Sequence, residues 1–335
     1  MQFAQWKNEH RPAVQAAARA VTEKGSVAGC GTMPVTYRAL VPQLNLAHWY
    51  ALHAEALQQE LLQHGALLFR GFDLRDESGF KDFSLAAIKT QAEYVQGATP
   101  RTKLQSGVYT STEFSAEHEI QLHNELSYVL APPRKIAFCC LTASREGGQT
   151  QIADVNAVYN RLDPAIVQAF ESRGGWMLRR HFHPGFGPTV YKSFQSDSVA
   201  DIRAYCAREQ VEFTALPGEQ FATRQVRAAV HRHPQSGLPL WMNHASFWHV
   251  ANLLPEVRAK LAEMFTQDEF PYSTCFGDGT PIPDQMIADI AAAYRDTEVM
   301  FSWKPGDVLL LDNWRVAHGR KPFAGARKVI VAMGA

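Results

Sequence analysis

A chain of 335 residues with 33 basic and 33 acidic side chains carries no formal net charge, so its charge gives it no attraction to nucleic acid or to an anionic membrane. Its length allows a sizeable core, in two average domains or in one large β-rich domain. No apolar run approaches the roughly 18 residues of a membrane span, and the N-terminus lacks the basic and apolar segments of a secretion signal. We therefore expect no nucleic-acid partner and no membrane partner.

The cysteines indicate a reducing environment. There are five, an odd number, and none shows CxxC spacing, which argues against a disulfide framework and against a thiolate zinc site. Cys139 and Cys140 are adjacent in "KIAFCCLTA", and neighbours in a strand point to opposite faces, so we expect both to pack in the core. The pattern predicts a cytoplasmic protein.

The first half of the chain alternates helical and strand patterns. Apolar residues at helical spacing predict a helix over 47–64, a short buried strand in "GALLFRGF" and a second helix around "GFKDFSLAAIKTQAEYV". A polar loop over 96–114 leads to "QLHNELSYVLAPPRK", which begins as a partly buried strand. "RKIAFCCLTA" is a further strand, and "EGGQTQIADVNAVYNRL" combines a Gly-Gly turn, a short strand and a helix with Asp154 as its N-cap.

The middle of the chain reads as an insertion. From Asp163 to Gln225, short helices alternate with loops rich in Gly and Pro, and no linker-like run flanks them. We therefore interpret 1–335 as a single domain with an insertion or lid region at 156–230. Within it, "HFHPGFGPTVYKSFQSDS" is a candidate lid, because mobile covers are typically long loops of this composition.

The C-terminal part favours an antiparallel β fold. "VRAAVHRHP" and "LPLWMNHASFWHV" predict two strands joined by "PQSG", and "PDQMIADIAAAYRDT" predicts a helix. The chain ends in two apolar strands, "DVLLLDN" and "ARKVIVAM", connected by a loop. The fold class we predict is mainly β with α, a double-stranded β-helix (jelly roll) flanked by helices with a helical and loop insertion. Neither GxGxxG nor P-loop spacing supports a doubly wound alternative.

Two potential metal ligands lie close together in "HNE". His123 and Glu125 are two positions apart in an expected strand, so both can point into one cavity while Asn124 points away. An open non-haem iron(II) site needs two imidazoles and one carboxylate, so one more histidine is required. We interpret most other histidines as structural or surface groups, because no carboxylate accompanies them; they are His118, His181, His183, His231, His233, His244 and His249.

His318 differs from those histidines because of the residues around it. It follows a strongly apolar strand, and the next strand opens with Arg327, a cation in an otherwise apolar run. A buried arginine needs a planar anionic partner, and that strand offers no acid. The carboxylate of a ligand would satisfy Arg327.

These motifs together resemble a known group of enzymes. "HNE", "GGQT", "LLLDNWRVAHGR" and "FAGARKVIVAM" resemble the TauD/TfdA-like superfamily of iron(II)- and 2-oxoglutarate-dependent oxygenases, and within it the clavaminate-synthase-like and SyrP-like hydroxylases of antibiotic biosynthesis. The resemblance implies that His123, Glu125 and His318 bind iron and that O2 is a substrate. It also implies that Arg327 binds the distal carboxylate of 2-oxoglutarate and that Thr150 assists, as a guanidinium fork and a hydroxyl are suited to do.

Strand alternation and departures from the family pattern refine this interpretation. Alternation places Arg327 on one face and Lys328 on the other, so only one cation can face the co-substrate, and we choose Arg327. The taurine enzyme has a second arginine where Val331 stands here, which argues against taurine as the substrate. Taurine-type relatives have aspartate at the position of Glu125, and halogenases have a small residue there. The presence of a glutamate at position 125 therefore favours hydroxylation over halogenation.

The resemblance implies hydroxylation of an unactivated carbon of an amino acid, free or bound to a peptidyl carrier protein, in a secondary-metabolite pathway. Desaturation or cyclisation of a similar substrate is an alternative, and a non-catalytic jelly-roll protein that binds a metal or ligand is another. Arg327 and Thr150 argue against the last, since a structural zinc site is closed by four protein ligands and needs no anchor for a keto acid.

Substrate contacts and supporting residues are also predicted. Gln121 would share a strand face with His123, and Asn243 and His244 form a polar break in an apolar strand, which is unusual unless such groups are hydrogen-bonded. We name these three as candidate substrate contacts. Asp312 and Asn313, shortly before His318, would support the site or form a turn.

Overall fold

The computed structural model describes residues 20–92, 95–96, 103–105, 107–111 and 114–335. Part of the loop expected over 96–114 lies outside these residues, and the part that is described contains two short strands. In the described ranges no helix is both long enough and apolar enough to cross a membrane.

The strands and helices are numbered here in chain order. The strands are β1 Thr22–Ser26, β2 Val35–Ala39, β3 Ala66–Arg70, β4 Lys103–Gln105, β5 Val108–Thr110, β6 Ile120–His123, β7 Lys135–Thr142, β8 Glu146–Gly147, β9 Thr150–Asp154, β10 Trp176–Phe182, β11 Glu212–Leu216, β12 Gln220–Arg227, β13 His231–Arg232, β14 Pro239–Leu240, β15 Tyr272–Phe276, β16 Val299–Phe301, β17 Val308–Asp312, β18 Val316–Arg320, β19 Phe323–Ala324 and β20 Lys328–Gly334. The α-helices are α1 Leu46–Leu52, α2 Ala54–His64, α3 Glu77–Ala87, α4 Val155–Arg161, α5 Pro164–Ser172, α6 Val190–Phe194, α7 Val199–Arg208, α8 Pro255–Met264 and α9 Asp284–Thr297.

Two sheets enclose the central core. The larger has eight strands in the order β1-β2-β3-β17-β7-β20-β5-β4, antiparallel except for the parallel pair β2 and β3. The smaller has four antiparallel strands in the order β16-β9-β18-β6. Phe138, Leu309 and Val331 of the large sheet belong to the same buried cluster as Ile152 and Val316 of the small one. This arrangement confirms the predicted jelly-roll class.

The outer face of the large sheet is covered by the N-terminal helices. Residues of α1, α2 and α3 form a second buried cluster with Phe69, Leu310 and Ile330 of the sheet. Cys139 belongs to this cluster and Cys140 to the central core, so their predicted placement on opposite faces is confirmed. The helix expected over 47–64 is two helices that meet at His53, while the predicted cap by Asp154, which accepts from the backbone of the first turn of α4, is confirmed.

The region predicted to be an insertion contains strands that the sequence did not predict. β10 pairs with β12 and β15, and β12 also pairs with β11. The sheet has the order β11-β12-β10-β15 and a small buried cluster of its own. The buried face of β12 carries Thr223, Gln225 and Arg227, and that of β10 carries Arg180. Polar residues on the inward face conceal the apolar alternation by which strands are recognised. The boundary at 156–230 stays a prediction.

Two expectations for the C-terminal part were wrong. The stretch after "PQSG" forms only the two-residue strand β14 and then leaves the sheet, so 243–249 is a loop rather than a strand. The connection between β17 and β20 is not a simple loop, because it contains β18, and His318 lies within that strand. All five residues of β18 are buried. A short run buried on both faces has no alternation that could reveal it.

Candidate metal and co-substrate site

The "HNE" segment adopts its shape at the end of a strand. His123 is the last residue of β6, and Glu125 lies in the turn that follows, where Leu126 has a φ of +53°. The expectation that an extended strand aligns His123 and Glu125 was therefore wrong, since the turn brings them together. Asn124 does point away, because its side-chain amide donates to the backbone oxygen of Asn313 at 2.7 Å.

The third candidate ligand comes from the neighbouring strand. β18 pairs with β6 so that His318 stands opposite His123, and the two rings are 4.6 Å apart between centroids. His318 Nε2 lies 3.7 Å from Glu125 Oε2. One potential ligand atom from each of the three residues lies within 4.8 Å of the others, and all three side chains are buried. Two imidazoles and one carboxylate are the donor set of open non-haem iron(II) sites, so these residues fit that metal.

Hydrogen bonding prepares His123 for this role. Its Nδ1 is 2.8 Å from the backbone oxygen of Gln121. A carbonyl oxygen can only accept, so Nδ1 carries the proton and Nε2 keeps its lone pair. Fixing the tautomer through the second ring nitrogen is typical of metal-binding histidines.

The turn between β17 and β18 holds the metal segment in place. Asn313 is fully buried, and its side-chain oxygen accepts from the backbone N–H of Glu125 at 2.7 Å. Its amide donates to the backbone oxygens of Glu125 at 3.0 Å and Pro133 at 2.8 Å. The preceding Asp312 contacts His233 Nε2 at 2.8 Å. Asn313 thus fixes the backbone of Glu125, the candidate carboxylate ligand.

A narrow cavity joins two of the candidate metal ligands to the predicted co-substrate residues. Its walls include His123, His318, Thr150 and Arg327. The half-buried Arg327 has no ion pair with a carboxylate in the described part of the chain. Burial, with a smaller contribution from the nearby Arg320 charge, lowers the pKa of Arg327 to about 10. A bound carboxylate would offset this desolvation.

Lys328 is directed elsewhere. It is exposed, and its Nζ donates to Glu77 Oε1 at 2.7 Å. Val329 and Val331 belong to the central core and Ile330 to the outer cluster, as the predicted alternation requires. The arginine rather than the lysine therefore faces the cavity.

Arg320 is a residue of this cavity that we did not predict. It is buried on β18, two positions after His318, and its guanidinium donates to the backbone oxygens of Phe114, Ser115 and His118. Burial lowers the pKa of Arg320 as well. Its position on the same strand face as His318 was the signal in the sequence, but recognising it required knowing that β18 is a strand.

The Gly-Gly turn leaves room for Arg327. Gly147 pairs with Phe323 in the short β8–β19 ribbon, and Gly148 has a φ of +68°. A Cβ atom on Gly148 would clash with Ser144 Oγ, and it would lie 3.1 Å from Phe323 Cβ and 3.2 Å from Arg327 Nε. A side chain at Gly148 would therefore crowd both Ser144 and the guanidinium.

The candidate substrate residues Gln121 and Asn243 line a second cavity of about 180 Å³. Contrary to our expectation, Gln121 and His123 do not line the same cavity. His318 and Arg320, which are two positions apart on β18, pair with His123 and Ile120, which are three positions apart on β6. This bulge breaks the alternation, so Ile120 lines the first cavity and Gln121 the second.

Asn243 and His244 are both integrated into the fold. The Asn243 amide donates to Ala229 O at 2.9 Å and its oxygen accepts from Ala245 N at 3.0 Å. His244 is buried with its Nδ1 2.6 Å from Ser127 Oγ and its ring centroid 5.6 Å from that of His123. Burial, and then the charge of His123, lowers the pKa of His244 well below its ordinary value. His244 packs beside the candidate metal ligands.

The sequence and fold match known proteins. Residues 34–333 match the family described as taurine catabolism dioxygenase TauD, TfdA family. The chain is 36% identical over 277 residues to the dapdiamide synthesis protein DdaC of Enterobacter agglomerans, covering 83% of this chain and 84% of that protein. It is 28% identical over 289 residues to a clavaminate synthase-like protein of Arabidopsis thaliana, covering 83% of each.

A solved structure supports the fold. PvcB from Pseudomonas aeruginosa superimposes with a TM-score of 0.52 at 16% identity, covering 90% of this chain and 85% of PvcB. PvcB is described as an Fe, alpha-ketoglutarate dependent oxygenase from an isonitrile synthetic pathway. The family match spans nearly the whole chain, and the three buried donors form the ligand set that such enzymes require. The chain belongs to the TauD/TfdA family, and the expected class, an iron(II)- and 2-oxoglutarate-dependent dioxygenase, is confirmed.

Proposed function

We propose that this dioxygenase hydroxylates an unactivated carbon of an amino acid, free or bound to a peptidyl carrier protein, in a secondary-metabolite pathway. The observation that carries the proposal is the shared cavity, in which His123 and His318 stand near an arginine that has no carboxylate partner among the described residues. DdaC, at 36% identity, is a synthesis protein by name, which supports a biosynthetic rather than a degradative reaction.

The residues around the cavity form two groups, one for the metal and one for the co-substrate. His123, Glu125 and His318 would hold iron(II), and Arg327 and Thr150 would bind the distal carboxylate of 2-oxoglutarate. When both are bound, they supply the oxidising power, taken from O2, that breaks a strong C–H bond. The protein binds, orients and shields these groups, and Arg320 adds a second positive charge close to the dianionic co-substrate.

The charges around the second cavity support an amino-acid substrate. Glu119 and Glu298 both pair with Lys321, at 2.8 and 3.1 Å, so two carboxylates share one cation. Arg295, on the same cavity wall, has no side-chain partner in the described ranges. Unbalanced negative and positive groups on one wall suit the ammonium and carboxylate of a zwitterion.

The second cavity is close to the metal ligands. Phe247 lines it, and the Phe247 ring centroid is 5.0 Å from that of His123. We therefore assign Gln121 and Asn243 to the surroundings of the substrate and His244 to the packing that supports Phe247, 5.2 Å away between centroids.

Contacts between aromatic rings support a covering role for the insertion. Tyr272 of β15, in the insertion sheet, stacks on Trp248 at 5.5 Å, and Trp248 stacks on His244 at 4.5 Å. The chain of rings continues from His244 to the metal ligand His123. We propose that the stretch 181–198, which begins at the end of β10 in this sheet, acts as a lid over the site.

Binding of the co-substrate is the first test. Iron(II) and 2-oxoglutarate added without oxygen should produce the weak visible charge-transfer band of the chelate, and His318→Ala should abolish the band without unfolding the protein. A well-folded wild-type protein that shows no band would contradict the proposal.

The substrate class has a separate test. Succinate formation should be screened across free amino acids and carrier-bound aminoacyl thioesters, with hydroxylated product identified by mass. Amino acids in either form should stimulate succinate formation above the uncoupled rate. Stimulation only by compounds that lack an amino-acid group would reject the proposed substrate class, and a tethered-only response would identify a carrier protein as partner.

A further inference from the structure

Trp303 contacts a predicted co-substrate residue from outside the cavity. It follows β16, and Phe301 of β16 pairs with Thr150 on β9. Both Trp303 and Thr150 are buried, with exposed fractions of 8% and 6%. The indole Nε1 donates to Thr150 Oγ1 at 2.8 Å.

This hydrogen bond determines what the threonine hydroxyl can do. An indole N–H can only donate, so Thr150 Oγ1 must act as the acceptor of that bond. The hydroxyl keeps its own proton, and no second partner for this oxygen is found within the described part of the chain. Because Thr150 lines the cavity together with Arg327, the proton is available to a ligand there.

We propose that Trp303 is a positioning residue that orients the Thr150 hydroxyl as a hydrogen-bond donor to the distal carboxylate of 2-oxoglutarate. This inference rests on the proposed binding of 2-oxoglutarate at Arg327 and Thr150. A hydroxyl that can rotate freely can also satisfy itself with water or with a backbone oxygen, which weakens its selectivity for an anion. With the indole in place, the acceptor side of the oxygen is occupied, and a charge-assisted bond to the carboxylate is favoured.

The test is a double-mutant cycle on co-substrate affinity. Trp303→Phe keeps an aromatic ring and removes the N–H, and Thr150→Val removes the hydroxyl at nearly constant volume. The dissociation constant of 2-oxoglutarate is measured by anaerobic calorimetry on metal-loaded wild type, both single variants and the double variant. We expect Trp303→Phe to weaken binding about threefold to tenfold, as for loss of one hydrogen bond. In the Thr150→Val background it should have no effect, because the indole acts only through the hydroxyl.

A second ligand separates positioning from general loosening of the fold. 2-Oxopentanoate has the same keto acid end and chain length but lacks the distal carboxylate. Trp303→Phe should leave its affinity, and the affinity for the metal, unchanged. Equal weakening of both oxo acids would show a merely structural role and would overturn the inference.

Trp49→Phe serves as the matched control. Trp49 is also buried, but it lies on α1 in the outer cluster, and its indole N–H has no hydrogen-bond partner among the described residues. It should not alter the affinity for 2-oxoglutarate. Additive effects of the two substitutions would overturn the inference about Trp303 but not the proposed function. A wild-type protein that binds metal but no 2-oxoglutarate would overturn both.

Discussion

At the scale of single residues, the cavity is characterised by two arginines that have no carboxylate partner in the described part of the chain. Arg320 and Arg327 flank the Phe323 ring, with their guanidinium carbons 5.0 and 5.5 Å from its centroid. Arg320 is bound to three backbone oxygens, whereas Arg327 forms no ion pair in the described ranges. A buried and a half-buried guanidinium without a carboxylate between them in the described ranges favour a dianionic ligand.

Binding of 2-oxoglutarate should therefore be more sensitive to substitution of Arg327 than of the adjacent Lys328. Arg327→Lys keeps the positive charge and loses the planar fork, so we expect about tenfold weaker binding of 2-oxoglutarate or more, the typical loss for a charge-assisted hydrogen bond. Lys328→Gln, on the opposite face, should leave the dissociation constant unchanged. The measurement is calorimetry with metal-loaded protein, and a larger effect at Lys328 would show that the wrong cation was assigned to the cavity.

At the scale of elements, the site depends on loops held by buried polar side chains. Asn313 in the β17–β18 turn binds the backbone of Glu125 on both its N–H and its carbonyl. From the predicted insertion, Gln225 and Arg227 of β12 donate to the backbone oxygen of Tyr128 at 2.9 and 2.8 Å. The polar residues that made β12 hard to recognise in the sequence thus hold the segment after the carboxylate ligand.

Removing the Asn313 side chain should affect both stability and metal binding. Asn313→Ala leaves buried backbone groups without partners, at a cost of about 1–3 kcal/mol for each in the free energy of unfolding. Displacement of Glu125 should weaken metal binding about 10- to 100-fold, as is typical for residues that orient metal ligands. Denaturant unfolding and Co(II) titration measure the two effects. Asn160→Ala, on an exposed surface of α4, is the control and should change neither.

At the scale of the whole molecule, the metal site connects parts of the chain that are distant in sequence. His123 and Glu125 belong to β6 and its following turn, whereas His318 belongs to β18, and only pairing within the small sheet brings them together. The unfolded chain cannot offer this arrangement, so a metal that binds here binds the native state.

Metal binding should therefore stabilise the entire fold. At a free metal concentration 100 times the dissociation constant, linkage raises the free energy of unfolding by about 2.7 kcal/mol. We expect Mn(II) or Co(II) to raise the melting temperature and a chelator to reverse the increase. His318→Ala should lose the response. Equal stabilisation of this variant would mean that the ion binds elsewhere.

Local patterns determined part of this protein. His123, Glu125, His318 and Arg327 were recognisable as candidates because they are polar groups in or beside otherwise apolar runs, and alternation correctly separated Arg327 from Lys328. The jelly-roll class followed from the number of short apolar strands. These features depend on residue chemistry and on a period of two, both of which are encoded locally.

Only the tertiary structure decided the remainder. The β6 bulge moved Gln121 out of the cavity of His123, the turn at Leu126 rather than an extended strand aligned Glu125, and Trp303 reached Thr150 through strand pairing. Each depends on contacts between segments far apart in the chain. The sequence by itself determined which groups are able to bind a metal and a carboxylate, and the packing of the two sheets decided which of them meet, because strand register is set by long-range pairing.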